Sequence, residues 1–380
     1  MTLSACETDA RIAPFGGAGF YTSTAAAQAA AWPGTPPAPA AAVVKRTLHR
    51  AVHALDRQFD RRRRPARGGR IIVSPYRGFG RDGELGVRGR VLVEKPITTS
   101  AGNEPLWRSV VNTYRRFATD EVAGARIRAT YRDAVAETTS DDEGYFQLLL
   151  QPNDLALNSL WHEVGLALPD HGTTCIAQAL IPSQSAQFAI ISDIDDTVLV
   201  TNATSLLGMA RSVIRNAASR LPFEGVAELY RALHRDVNPI FYVSSSPWNL
   251  YELLHEFMDL NGIPHGPMML QDWGIDESTL IIAPHETHKM AQINRIIEYY
   301  PELKFVLIGD SGQHDPEIYL RVIQSHPNRV LAAFIRDVTP DLRDHAVARI
   351  LEQSNAAGVE MLYVRNSSEA LEHARRMQLV

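Results

Sequence analysis

Four short apolar runs in the second half of the chain, at 187–192, 239–243, 304–308 and 330–335, constrain the fold most. They are apolar at nearly every position rather than at every second one. Such strands must be covered on both faces, and the segments between them carry helical spacing. Parallel strands joined by crossover helices satisfy both conditions. The expected fold class is therefore α/β, with a doubly wound parallel sheet over residues 183–380.

The sequence upstream has a different texture. Ile127, Ala129 and Tyr131 alternate with Arg126, Arg128, Thr130 and Arg132, the period of a half-buried strand. Further strands are expected at 71–73, 87–93, 145–150, 161–168 and 174–181, with an Asp-Asp-Glu-Gly turn at 141–144. Short strands at this spacing predict a small antiparallel β-sandwich over 71–182. Pro75-Tyr76-Arg77-Gly78-Phe79-Gly80 stands out within it, and the module holds no catalytic cluster.

The N-terminal quarter divides in two. Residues 1–42 are rich in Ala, Pro, Gly and Thr, with too little apolar side chain to offset the entropy of ordering, and are expected to be disordered. Residues 43–70 are expected to form a basic amphipathic helix and linker. Val44, Leu48, Val52, Leu55 and Phe59 share one helical face, and Arg61 to Arg64 follow before Pro65. Two uses of that stripe stay open: docking on the next domain with the basic face in solvent, or lying on an anionic bilayer.

Bulk properties exclude rather than assign. The 380 residues are 45% hydrophobic and 21% charged, with net charge -5, so neither an acidic nor a basic partner is favoured globally. The two cysteines, Cys6 and Cys175, allow no disulfide framework beyond that one pair, and a reducing, cytoplasmic setting is expected. No apolar run approaches the roughly 20 residues of a bilayer span. The first residues lack the basic region and apolar core of a signal peptide.

Four pieces carry the chemistry. Residues 190–197 read Ile-Ile-Ser-Asp-Ile-Asp-Asp-Thr. An apolar run ends in three carboxylates, an expensive cluster unless a cation or a hydrogen-bonding loop compensates it. A hard divalent ion such as Mg²⁺ suits oxygen ligands of this kind. One carboxylate beside that ion can attack phosphorus, and another can serve as general acid and base. The competing reading of this piece is an Asp-capped turn between strand and helix. Residues 241–248, Phe-Tyr-Val-Ser-Ser-Ser-Pro-Trp, carry a strand into hydroxyls. Ser246 is the expected N-cap of a helix with Pro247 first inside it, and backbone N–H groups there, with the Ser244 hydroxyl, suit a phosphate oxygen. His288-Lys289 is expected to open a helix, where a cation opposes the dipole and points to an anionic partner. Residues 305–315 run from Phe-Val-Leu-Ile into Gly-Asp-Ser-Gly-Gln-His-Asp, placing Asp310 at a strand end as a further candidate ligand. An Asx turn is its plainer reading.

Taken together, Asp-Ile-Asp-Asp-Thr at 193–197, Tyr-Val-Ser-Ser-Ser-Pro-Trp at 242–248, His288-Lys289 and Gly-Asp-Ser-Gly-Gln-His-Asp at 309–315 resemble the ordered motifs of haloacid dehalogenase-type phosphatases. Within that superfamily they are most similar to actin-patch phosphatidate phosphatases, and more distantly to lipins. The resemblance covers about 187–345 and extends to the Pro-Tyr-Arg-Gly-Phe-Gly segment. It implies Asp193 as nucleophile, Asp195 as general acid/base and Thr197 as orienter of the loop. It implies Ser244 and Lys289 on the phosphoryl group, with Ser245 the neighbouring hydroxyl for that contact. It implies Mg²⁺ held by Asp193, the Asp195 carbonyl and Asp310, with Asp315 supporting. The implied substrate is phosphatidate at a membrane surface, reached by a cytoplasmic, at most peripheral, protein, with no nucleic acid involved. A phosphatase of a soluble phosphoester or phosphoprotein, and a non-catalytic phosphate-binding adaptor, are the rival readings. Residues 197–238 look short and helical, with Leu206, Leu207, Met209 and Val213, and 244–289 leaves no room for a cap domain. An open site is expected.

Overall fold

The computed structural model describes residues 69–94, 121–155, 159–194, 225–271, 285–311, 314–338 and 344–380. The expected tail, the basic helix and the helical segment at 206–213 lie outside the described residues, as does Cys6.

The described chain builds two sheets. The first holds β1 (Ile71–Arg81), β2 (Glu84–Val93), β3 (Arg126–Tyr131), β4 (Ala134–Thr139), β5 (Tyr145–Leu150), β6 (Trp161–Leu168) and β7 (Thr173–Leu180). Along β3 the alternation is realised, with Ile127, Ala129 and Tyr131 buried and the arginines outside. The expected pair of packed sheets is not what forms. A single seven-stranded sheet runs β4-β3-β6-β7-β1-β2-β5, and β1 lies parallel to β7 through Gly78↔Ala179 and Phe79↔Leu180. It curls until its edge strands β4 and β5 touch, closing over Leu85, Val87, Phe146, Val164 and Leu166. Two features bend it. The β1–β2 register shifts between Tyr76 and Phe79, and a bulge increases local twist. Gly78 and Gly80 let β1 approach β2 closely, since a Cβ on either would sit 2.0 Å from the Gly86 carbonyl oxygen or 2.3 Å from that of Glu84.

The second sheet is parallel throughout, in the order β10-β9-β8-β11-β12-β13. Its strands are β8 (Ala189–Asp193), β9 (Ile240–Pro247), β10 (Met268–Gln271), β11 (Phe305–Asp310), β12 (Val330–Arg336) and β13 (Glu360–Val364). The helices are α1 (Val226–His234), α2 (Tyr251–Leu260), α3 (His285–Tyr299), α4 (Asp315–Ser325), α5 (Asp344–Ala356) and α6 (Ser367–Arg376). Neighbouring strand residues serve opposite faces. Ile190, Ile240, Tyr242 and Phe334 pack with α1, α2 and α6. Ile191, Phe241, Leu307 and Ala333 pack with α3, α4 and α5. Both faces are covered, which explains the unbroken apolar runs. Strands β10 and β13 escape the sequence pattern, because Met268–Gln271 and Glu360–Val364 are too short and mixed to stand out.

The strand order reverses between β8 and β11. In an open α/β sheet the crevice at such a switch point, beyond the carboxyl ends of the strands, is the ligand site.

Candidate active site

Asp193 closes β8 and Asp310 closes β11, on either side of the switch point. Asp315 is the first residue of α4 and Lys289 lies on α3. All four are between 0% and 7% exposed. The Lys289 Nζ stands 3.1 Å from Asp193 Oδ1 and donates to Asp315 Oδ1 at 2.7 Å. Asp315 Oδ2 accepts the backbone N–H of Asp310 at 3.1 Å. One carboxylate thus ties the lysine to the loop that presents Asp310.

Carboxylate oxygens of Asp193, Asp310 and Asp315 come within 4.8 Å of one another. Three buried acids around one ammonium leave the cluster negative, and burying such charge is costly unless it is balanced. A divalent cation fits this donor set: the ligands are hard oxygens, with no His or Cys among them.

The turn after β11 is built tightly. A Cβ on Gly309 would lie 2.3 Å from Asp315 Oδ2 and 2.8 Å from the Tyr319 hydroxyl, so only glycine fits there. The Tyr319 hydroxyl donates to the Ile308 carbonyl at 2.7 Å. Ser311 N–H donates to the Arg336 carbonyl at 2.9 Å, and its Oγ accepts from Val338 N–H at 3.0 Å. Beneath Asp193, Ser192 Oγ shares a 2.6 Å hydrogen bond with Tyr230. Burial, above all, pushes that phenol up to about 12, so it stays protonated.

The serine run differs from expectation. Ser246 does not cap a helix. β9 continues through Pro247, a 3₁₀ turn occupies Trp248–Leu250, and α2 begins at Tyr251. The ladder with β10, which pairs Gln271 with Pro247, overrides the local Ser-Pro signal. Ser244, Ser245 and Ser246 are all buried, and Ser244 Oγ accepts the Ser246 N–H at 2.9 Å. Since Asp193 is in register with Val243, Ser244 follows beside the carboxylate cluster. Lys289 is likewise not in the first turn, because α3 starts at His285. Its neighbour is the acid pair rather than the helix end. Asp195 and Thr197 lie outside the described residues.

A crevice opens next to Asp193 and Asp310, walled by Leu229, Phe334 and Val364 with Arg336 at its edge. Burial lowers the Arg336 guanidinium to about 10, against the opposing pull of Asp310. Sequence pattern alone passes over Arg336. Its available signal is a charged residue ending the apolar run at 330–335.

Residues 188–337 match the family described as "Phosphatidate phosphatase APP1, catalytic domain". Through that segment the chain is similar to the APP1-type phosphatidate phosphatases. Its APP1-type segment is 35% identical over 161 residues to Phosphatidate phosphatase APP1 of Saccharomyces cerevisiae, covering 41% of this chain and 27% of that protein. An uncharacterized protein of Schizosaccharomyces pombe is 32% identical over 158 residues, covering 40% and 26%. The aligned stretch thus spans about a quarter of each of these relatives. Among solved structures, a phosphoserine phosphatase from T. onnurineus aligns with TM-score 0.27 at 11% identity, over 50% of this chain and 94% of that one. A carbohydrate acetylesterase from Xanthomonas citri aligns with TM-score 0.29 at 10% identity, over 81% and 75%. At that level neither likeness bears on fold or activity.

Proposed function

We propose that the chain is a phosphoric monoester hydrolase of haloacid dehalogenase type, acting on phosphatidate through an aspartyl-phosphate and using Mg²⁺. The observation that carries the reading is the Asp193–Lys289–Asp315–Asp310 cluster at the switch point of a parallel sheet, inside a segment of APP1-type sequence.

In this reading Asp193 attacks phosphorus and the bond from phosphorus to the ester oxygen breaks. The leaving alkoxide takes a proton from Asp195. Water then attacks the acyl phosphate, gives its proton to Asp195 and releases Asp193 and inorganic phosphate. Lys289, with Ser244 or Ser245, holds the non-bridging oxygens, and Asp315 keeps Lys289 aimed. Thr197 orients the loop. Asp193, the Asp195 carbonyl and Asp310, with Asp315 in support, would hold the divalent cation, which would supply positive charge against the phosphoryl oxygens. The likeness of residues 188–337 to phosphatidate phosphatases supports a lipid phosphate as the substrate.

We take residues 71–182 and 183–380 as the two folded units of the chain, behind the tail at 1–42 and the basic segment at 43–70. Residues 43–64 are proposed to bring the site to anionic lipid. Among the described residues no helix is long and apolar enough to cross a membrane. Sedimentation with phosphatidate vesicles should be weaker for a chain lacking residues 1–64, and the difference should shrink at high salt, where the Debye length falls to about 3 Å near 1 M.

The deciding assay is phosphate release from phosphatidate, a sugar phosphate, a nucleotide and a phosphopeptide. Asp193→Asn should lower the rate by at least about three orders of magnitude without unfolding the protein, since covalent catalysis has no substitute nucleophile. Calorimetric Mg²⁺ binding should weaken more in Asp310→Ala than in Ser244→Ala. Near-normal turnover by a folded Asp193→Asn variant would falsify the covalent route.

A further inference from the structure

The Pro75-Tyr76-Arg77-Gly78-Phe79-Gly80 segment has no part in the chemistry above, yet Tyr76, Arg77, Phe79 and Gly80 all touch the α/β unit. Tyr76 stacks on Trp248 with centroids 5.5 Å apart and planes 7° from parallel, and on Tyr251 at 4.0 Å. Arg88 of β2 lies over the Trp248 ring at 4.1 Å. The Arg77 N–H donates to the Tyr251 hydroxyl at 2.8 Å. The Arg77 side chain reaches His255 and His265, and Ser74 donates to Glu252. Phe79 meets Phe241 edge-on at 5.8 Å. Positions 248, 251, 252 and 255 fall on one helical face, by the i, i+3, i+4, i+7 spacing of a helix. The curled sheet therefore grips the start of α2 along a single stripe.

That grip lies one residue from the serine run. Only Pro247 separates Ser246 from Trp248, and proline has a fixed φ. The direction of the Trp248 turn and that of the last β9 residues are accordingly coupled. The glycines give β1 its close, bent approach to β2 (Gly78 and Gly80 admit no Cβ).

We infer that Tyr76 and Arg88 are positioning residues: by clamping Trp248 they hold the Ser244–Ser246 backbone and hydroxyls at the phosphoryl group. The inference rests on the reading that this run binds phosphate. It assigns the β unit a role in substrate affinity within the same chain, rather than that of a separate adaptor.

The test uses the full chain and the phosphomonoester that the wild type hydrolyses. Tyr76→Leu and Arg88→Met should raise KM and weaken inhibition by inorganic phosphate together, by about tenfold, as displaced positioning groups do. kcat should stay within about threefold, since the nucleophile and acid are untouched. Tyr76→Phe keeps the ring and should restore wild-type values. Arg88 is half-buried and Arg88→Met keeps the aliphatic stem, so this variant should fold and unfold thermally like the wild type. Wild-type KM and phosphate inhibition in folded Arg88→Met and Tyr76→Leu would overturn the clamp alone. A wild-type chain that releases phosphate from no phosphomonoester would overturn the proposed function, and the clamp with it.

Discussion

Lys289 shows how much one side chain can be asked to balance. Its ammonium is buried against Asp193 and Asp315, with Asp310 as a third acid nearby. Removing one partner of a buried charge cluster costs far more than an exposed pair is worth, because the remaining charges stay desolvated. Lys289→Met should therefore lower stability by about 3–5 kcal/mol, read as a shift in the urea midpoint with unchanged slope. A loss under about 1 kcal/mol would show that the acids find other compensation. Surface pairs such as Arg128–Glu137, about half exposed on both sides, should contribute at most about 1 kcal/mol in the same measurement.

The turn from β11 into α4 is the element on which the site depends most. Asp310, Asp315 and the Tyr319 hydroxyl converge on Gly309, leaving no space for a methyl group. Gly309→Ala must push Asp315 away from the Asp310 N–H or tilt α4. The expected cost is about 1–3 kcal/mol, as for overpacking elsewhere, with phosphate release falling by more than about tenfold because Lys289 loses its orienting partner. Thermal unfolding and initial rates on one preparation check both parts. Activity kept beside a large stability loss would place the effect in packing alone. Gly83 makes the contrast: its φ is +79 and a Cβ there would meet nothing within 4 Å, so alanine strains only a hairpin.

Across the molecule the two sheets are joined by a cluster of ionisable groups. Burial, then the Arg77 guanidinium, pushes the His255 imidazole down to about 3. For Asp259, burial acts upward, but the hydrogen bond from His265, with the Arg77 guanidinium nearby, holds it below its ordinary value. The signs agree. His255 is neutral in the folded chain down to about pH 3 but protonates near pH 6.5 when unfolded, so stability falls as pH drops through that window. The depressed Asp259 contributes stability above its unfolded pKa of about 3.9 that is lost as pH falls through the folded value. Urea midpoints should decline from about pH 7 to about pH 4, and His255→Gln should flatten part of the slope. Burial also lowers His162 in the first sheet, so some slope must remain. An unchanged profile in His255→Gln would remove His255 as its source.

Local pattern was sufficient for the parallel sheet, because strands covered on both faces must be apolar throughout, as along Ala189–Asp193. It was sufficient for Asp193 and Asp310 as candidates, because carboxylates at the ends of apolar runs have few structural uses; Lys289 came from a helix-start reading that α3 does not follow, and Asp315 from the family resemblance. It could not show that Asp315 holds Lys289 and the Asp310 N–H, since those partners are 26 and 5 residues away along the chain. It misplaced the start of α2, where pairing with β10 outweighed an N-cap signal. It read two sheets where one curled sheet forms, because strand periodicity tells which face is buried but not which strand is the neighbour. The role of Tyr76 and Arg77 was equally out of reach. Their partners, Trp248, Tyr251 and His255, lie more than 170 residues on, and only the closed fold brings them into contact.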